Sequence, residues 1–277
     1  MSEGSVVVGV DGSPAALAAV DWAVDEAARR DLPLRIVHAL VWASYTSRSR
    51  PLTDPVTRDA EARARARRPS VAVASELPLC GPVQALLAEG TTADLLVLGT
   101  RALGRFSGAV LGSVSLPVVA GLPCPVVVVR DLPVAPEPGG PVVFAVGAHG
   151  DAAPVVAFAR AAAAARGCPL RAVHAWRVPR REAATAHTGQ FDEARNARHE
   201  QARRRLDDVL AAVPAEIEMH RTLGEGPPAE ILLAASEGAD LLVVGARRRL
   251  RADYRLGPVD HAVLHHAPCP VAVVPHT

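Results

Sequence analysis

The chain has 277 residues, of which 49 % are hydrophobic and 21 % are charged, an ordinary globular composition that excludes general disorder. Its formal net charge is +1, so no global field attracts nucleic acid or an anionic membrane, and we expect neither as a partner. The length suits two domains of about 140 residues better than one.

The N-terminal sequence MSEGSVVVGV has no basic stretch followed by a long apolar run, so we expect no secretory signal. No run of roughly 18 apolar residues occurs in the chain, which argues against a membrane span. The four cysteines form no CxxC pair, and we interpret them as reduced, packed thiols. The sequence therefore predicts a cytoplasmic protein.

Short apolar runs alternate with helical patterns along the first half. Apolar residues at helical spacing predict a helix from Pro14 to Arg30. The predicted strands cover residues 6–10, 34–40, 71–74, 95–99 and 126–129. Nearly continuous apolar strands are typical of a parallel sheet with helices on both faces. We therefore predict an α/β fold with a Rossmann-like, doubly wound, five-stranded parallel sheet.

The second half repeats the first. The strings PLR before a VHA strand, ADLLV before a glycine, and PCPV each occur twice in the same order, at offsets of 136, 146 and 145 residues. Such a repeat indicates duplication, with ten residues gained between the second and fourth strands. Segment 133–141 is rich in proline and can continue neither a helix nor a central strand. We predict tandem domains over 1–132 and 142–277, joined by a linker over 133–141.

Two segments that follow predicted strands carry the main functional signal. Asp11-Gly12-Ser13-Pro14 forms a tight turn before the first helix, and GTRALGRFSGAVLGSVS extends from Gly99 to Ser115. Together they resemble the ATP-binding signature of the universal stress protein family, an aspartate after strand one and G-x2-G-x9-G-[ST] after strand four. Ala102 stands where the family has its second glycine.

These residue types suit a phosphate. Glycine lets the backbone come close to an anion, successive amides form a cradle, and a helix start offers unbonded N–H groups. The resemblance implies ATP as the cofactor, with Mg²⁺ as a further candidate, and a ribose or adenine contact from the aspartate. The predicted cofactor-binding residues are Gly9, Asp11, Ala39, Gly99, Arg101, Ala102, Gly104, Gly112, Ser113, Val114 and Ser115.

Each of these residues also has a simpler structural explanation. Asp11 can accept a hydrogen bond from its own turn, Ser113 can be a helix N-cap, and Gly99 can mark the end of a strand. The methyl group of Ala102 can crowd the phosphates, for which we expect weaker binding rather than none.

The second half lacks most of the signature. At an offset of 136, Asp11 becomes Gly147, so the carboxylate is lost. The terminal glycine, Gly257, is followed by Pro258, which supplies neither a hydroxyl nor an N–H donor. We expect this degenerate domain to bind ATP weakly or not at all.

Two further clusters in the second half are candidate binding sites. The arginine-rich loop from Arg247 to Arg255 could bind an anion, although a solvated loop is the commoner arrangement. His261 and His265 have metal-ligand spacing, with His266 and Asp260 beside them, but surface or packed histidines are favoured over a metal site.

No pattern in the chain indicates catalysis. All 30 basic residues are arginine, so the lysine of a Walker A loop is absent, and no GxSxG occurs. The predicted site positions a nucleotide without a clear means of activating water. The resemblance implies a cytoplasmic, nucleotide-responsive sensor or regulator in the stress response with at most slow ATP hydrolysis. It also implies pairing of fifth strands, here 125–129 with 270–274, and a homodimer. The alternatives are an ATP-independent scaffold and a genuine ATPase or nucleotidyl transferase.

Overall fold

The computed structural model describes residues 4–40, 54–101, 112–131, 139–148, 150–178, 188–211, 213, 217–247 and 256–276. These residues form two compact units. The first unit comprises the described residues up to Asp131 together with Pro270–Pro275, and the second comprises the rest. The chain therefore carries two cores, as its duplicated sequence predicts.

The first unit has a parallel sheet in the order β3-β2-β1-β4-β5. Its elements are β1 (Val6–Gly9), α1 (Pro14–Arg30), β2 (Leu34–Val37), α2 (Pro55–Arg67), β3 (Val73–Glu76), α3 (Pro82–Glu89), β4 (Leu95–Arg101), α4 (Ser115–Gly121) and β5 (Val126–Asp131). Residues of β1 and β4 such as Val6 and Leu95 are completely buried. The α/β class and the doubly wound order are confirmed.

Helix α1 begins and ends at the residues that its sequence predicts. The Ser13 hydroxyl caps it by accepting a hydrogen bond from the Ala16 amide at 3.2 Å, which satisfies one of the unbonded donors of the first turn. Pro14 follows the cap, where a missing N–H costs nothing. Asp31 ends the helix in the left-handed conformation, with φ of 54°.

The observed bounds of β2 and β3 differ from the bounds that the sequence predicts. β3 covers Val73–Glu76 rather than 71–74, and its residues alternate between half-buried and exposed. It pairs with β2 at the margin of the parallel sheet, so a continuous apolar run is not required there. β2 ends at Val37, three residues before the predicted end.

The second unit repeats this arrangement, with strands in the order β9-β6-β7-β8, all parallel. Its elements are β6 (Val142–Ala145), α5 (Ala153–Arg166), β7 (Leu170–Trp176), α6 (Thr188–Leu210), β8 (Met219–Glu225), α7 (Pro228–Ala235), β9 (Leu241–Arg247) and α8 (Pro258–His266). Helix α6 has 23 residues and its counterpart α2 has 13. The ten residues gained by the second half therefore correspond to a longer helix.

The last strand is β10 (Val271–His276), and the segment Pro270–Pro275 belongs to the first unit. It pairs antiparallel with β5, with Val271 opposite Val128 and Val273 opposite Val126. These are the two fifth strands whose pairing the sequence predicts.

The buried cysteines agree with the prediction of reduced, packed thiols. Burial raises the pKa of the Cys124 thiol to about 11 and that of Cys269 to about 12, as expected for packed thiols. All four cysteines are free.

Among the helices of the described ranges, none combines the length and apolar character needed to cross a bilayer.

Candidate functional site

The first unit has a pocket at the carboxyl ends of β1, β2 and β4. The chain runs outward from β1 to β3 and then returns to place β4 on the other side of β1. Open parallel sheets bind ligands in the crevice at such a reversal. The pocket there has a volume of about 490 Å³, within the usual range for small-molecule sites.

Most of the predicted site residues line this one pocket. Residue 101 ends β4, and its side chain lies outside the described part of the structure, as do residues 102 and 104 entirely. The doubt attached to the methyl group of residue 102 therefore stays a prediction. The predicted residues that line the pocket are Gly9, Asp11, Ala39, Gly99, Gly112, Ser113, Val114 and Ser115.

Asp11 both lines the pocket and shapes the turn before α1. Its Oδ1 atom accepts a hydrogen bond from the Ser13 amide at 3.0 Å, and Gly12 has a φ of +79°. The carboxylate thus has the local turn role that its sequence allowed as an alternative. It remains exposed and faces the same crevice, so the two roles are compatible.

Residues 112–115 enter the pocket ahead of α4. The helix begins at Ser115, and its N-cap, Val114, makes no side-chain cap bond. The alternative interpretation of Ser113 as a helix N-cap is therefore wrong. Ser113 is exposed, and its hydroxyl and neighbouring amides lie in the loop that lines the pocket.

The described structure gives a packing reason for glycine at position 99 but none for glycine at position 112. A Cβ atom on Gly99 would lie 2.2 Å from the Ala15 carbonyl oxygen and 2.7 Å from the Ala16 nitrogen. Gly99 is required because β4 packs directly against the backbone of α1. A Cβ on Gly112 would meet, among the described atoms, only the Ser115 Oγ at 3.9 Å. Protein packing in the described part of the chain thus does not require glycine at 112.

The structure adds a histidine–aspartate pair that sequence reasoning missed. His38 lines the pocket, and its Nδ1 atom lies 2.8 Å from the Asp54 Oδ2. Asp54 also caps α2 by accepting the Thr57 amide at 3.0 Å. The signal available in the sequence was an aspartate directly before proline at a helix start, a common N-cap pattern.

The second unit has a smaller pocket in the equivalent position. Its volume is about 270 Å³. Asp151 lines it, and the Asp151 Oδ1 accepts the Ala153 amide at 2.8 Å, the same turn that Asp11 makes. Asp11 and Asp151 each stand three residues before a proline, and α5 starts one turn later than α1 relative to its strand. The expectation that the carboxylate is lost was therefore wrong, because it used a constant offset across this loop.

Asp260 occupies the place that Ser115 holds in the first half, at the same offset of 145 as Gly257 from Gly112. Its Oδ2 accepts the Gly257 amide at 3.0 Å. Burial raises the pKa of the Asp260 carboxyl to about 6, against the opposing effects of the Gly257 N–H and of His261 and His276. A carboxylate at this position occupies the Gly257 amide as a hydrogen-bond acceptor. Its negative charge also disfavours the binding of a second anion.

The remaining candidates from the sequence are the histidines of α8 and the arginine-rich loop. His261 and His265 stack along α8 with ring centroids 6.2 Å apart. Within the described ranges, no group of three or more His, Cys, Asp or Glu side chains is arranged to hold a metal ion. Residues 248–255 of the arginine-rich loop lie outside the described residues.

Two duplicated α/β units, each with a pocket at the reversal of its strand order, define a tandem protein of the doubly wound α/β class. A sequence model described as the universal stress protein family matches residues 4–130 and 140–275. The chain belongs to this family.

Individual relatives agree with this assignment. Universal stress protein Rv2005c of Mycobacterium tuberculosis is 32 % identical over 97 % of this chain and 96 % of its own length. A universal stress protein structure from Archaeoglobus fulgidus matches all of this chain and all of its own with a TM-score of 0.68 at 17 % identity. A universal stress protein in complex with cAMP is 31 % identical, covering 48 % of this chain and 100 % of its own, with a TM-score of 0.38.

Proposed function

We propose that the first unit binds an adenine nucleotide, ATP with or without Mg²⁺, and that the chain is a nucleotide-responsive sensor or regulator in the stress response. One observation carries this proposal. Predicted cofactor-binding residues from four separate segments, after β1, after β2, in β4 and before α4, line a single pocket. Chance placement of a degenerate motif does not account for that convergence.

The lining of the pocket supports a phosphate-bearing ligand. The described residues around Gly112 leave room for a phosphate to reach its backbone, and the exposed Ser113 can donate a hydroxyl hydrogen bond. Asp11 lines the same crevice, and a carboxylate there suits ribose hydroxyls or a nucleobase amine. Magnesium, when bound, would neutralise phosphate charge and keep most of its water.

A regulatory role follows from the chemistry of the lining. Apart from His38, the polar groups that line the pocket are backbone amides, hydroxyls and one exposed carboxylate, which hold a ligand rather than activate water. A bound nucleotide can then shift the chain between conformations only as far as it favours one of them. We include in the proposal a cytoplasmic location, a homodimer, and domain boundaries at 1–132 and 142–277.

Two alternative functions have observations in their favour. Asp11 already has a structural role in its turn, as expected of an ATP-independent scaffold that keeps the fold alone. The imidazole ring of His38, which is held by the Asp54 carboxylate, lines the pocket. Such a ring could act as the general base of a slow ATPase.

Isothermal titration calorimetry of the full chain with ATP and MgCl₂ tests the proposal. We expect saturable binding that weakens about ten-fold or more in Asp11→Ala, because a charge-assisted hydrogen bond is lost. Asp151→Ala is the matched control, since it removes the same turn carboxylate from the second unit, and its affinity should be unchanged. Absence of binding by the wild type would support the scaffold. Sustained phosphate release that Gly112→Val abolishes would support the ATPase.

A further inference from the structure

A second hollow lies in the second unit, between the carboxyl end of β7 and helix α6. Its volume is about 760 Å³. Helix α6 gives it one wall, and the turn at Gly226 and Pro228 gives it a floor. The Gly226 amide bonds to the Trp176 carbonyl at 2.9 Å, so this floor is fixed to the strand. We refer to this hollow as the α6 groove.

An aromatic ring forms part of the wall. Trp176, the last residue of β7, is half-buried and lines the α6 groove. The ring of His199 holds it edge-on, with centroids 5.4 Å apart and planes at 71°. A tryptophan ring fixed at the side of a groove offers an apolar surface on which a planar ligand can stack.

Arg205 gives the groove a positive charge that no described carboxylate neutralises. Its Nε donates to the Gly147 carbonyl at 3.3 Å and its Nη2 to the Gly150 carbonyl at 2.7 Å. Both partners are neutral, so the guanidinium keeps its charge while its position is fixed. A guanidinium has five N–H donors, and these two bonds leave others for a ligand.

The other charged groups make the groove an anion site rather than a cation site. Four arginines and two carboxylates line it. One of the carboxylates, Glu200, is already paired with Arg203 and Arg204, and these two arginines lower the pKa of Glu200 to about 2. Arg177, at the mouth beside Trp176, has no partner among the described residues. The surplus charge is therefore positive beside an aromatic wall.

We infer that the α6 groove binds a small planar aromatic anion, whose ring lies against Trp176 and whose acidic group is held by Arg205. The volume suits a ligand of this class, and arginine is the side chain best matched to carboxylate and phosphate groups. The site is independent of the pocket proposed for nucleotide in the first unit. Its residues all belong to the second unit.

Calorimetric titration of the full chain with phenyl phosphate and, separately, benzoate tests the inference. We expect a dissociation constant of about 1 mM or tighter for at least one probe, and which probe binds identifies the acidic group. Acetate and methyl phosphate, which lack the ring, should bind about ten-fold more weakly. Absence of saturable binding by both aromatic probes would refute the site.

Variants locate the binding. Arg205→Gln and Trp176→Leu should each weaken the better probe about ten-fold, and Arg205→Lys should recover part of the loss because it restores the charge. Arg171→Gln is the matched control, since Arg171 also donates to a backbone carbonyl, that of Ala235 at 3.3 Å, but lines no part of the groove. Equal effects of the control and test variants would overturn the inference. So would loss of probe binding in Gly112→Val, which alters only the first unit.

Discussion

The two halves of the chain share one scaffold and differ at the edge where that scaffold meets a ligand. Val6 pairs with Leu34 in the first half, and Val142 pairs with Leu170 in the second, at an identical offset of 136. These strand residues are completely buried, so a change in any of them would disturb a packed core. Buried strands therefore kept their register while the exposed loops diverged.

The divergence at the ligand edge has a simple electrostatic form. The segment that contains Gly112, Ser113 and Ser115 in the first half becomes Gly257, Pro258 and Asp260 in the second. Two hydroxyl groups are replaced by a ring without a donor and by a carboxylate that bonds the loop amide. The second half thus supplies its own anion at the position where the first half is proposed to accept one from a ligand.

The largest expected effect comes from transferring this carboxylate to the first half. Ser115→Asp should weaken ATP binding about a thousand-fold, roughly 4 kcal/mol, because like charges placed together cost several kcal/mol. Calorimetry with ATP at pH 8 measures it. Ser115→Asn, of similar size but uncharged, should lose far less. Comparable losses in the two variants would mean that shape rather than charge distinguishes the halves.

The next effect tests the scaffold itself. Gly99→Ala should lower the free energy of unfolding by about 3 kcal/mol, because its Cβ would collide with the α1 backbone, which cannot move aside. Gly245→Ala, at the equivalent position, should cost only about 1 kcal/mol. There the new atom would meet the side chains of His276 and Val155 at 2.9 Å, and side chains can shift. Urea unfolding of both variants gives the comparison, and equal costs would contradict it.

A pH-dependent effect is expected from the second half. Burial raises the pKa of Asp260 from 3.8 to about 6, so the folded chain binds more protons than the unfolded chain between these pH values. Stability from this group is therefore lost as the pH rises from about 4 to about 6. Asp260→Asn keeps an acceptor for the Gly257 amide. Above pH 6 the free energy of unfolding of this variant should exceed that of the wild type by about 2 kcal/mol. Unfolding at pH 4 and at pH 7 should show this difference grow; a constant difference would exclude the mechanism.

Much of the fold was predictable because buried parallel strands leave a direct signal. Continuous apolar runs located β1, β4 and β5, and proline, alanine spacing and terminal arginines gave both ends of α1. β3 was misplaced by two residues because a marginal strand is only half-buried and its pattern is weak.

The site was less predictable because its geometry depends on contacts distant in sequence. The reason for Gly99 lies in the backbone of α1, and His38 acquires its partner from the start of α2. Asp151 escaped notice because the second helix starts later relative to its strand, so a fixed offset compared the wrong residues. Sequence spacing identified which segments meet, but not which atom of each segment does what.

The smallest of these effects concerns the pair that the first half has and the second lacks. His38 is held by Asp54, whereas its counterpart His174 is bonded to the Val146 carbonyl at 2.6 Å. Asp54→Ala removes both the partner of His38 and the cap of α2, and should cost about 1.5 kcal/mol in unfolding free energy. Asp54→Ser keeps a capping oxygen and should recover most of this loss, while an ATP titration of the same variant reports the contribution of the oriented histidine. If serine restores stability and ATP affinity alike, His38 has no role in the pocket beyond lining it. If stability returns but affinity does not, the carboxylate positions the imidazole toward the ligand.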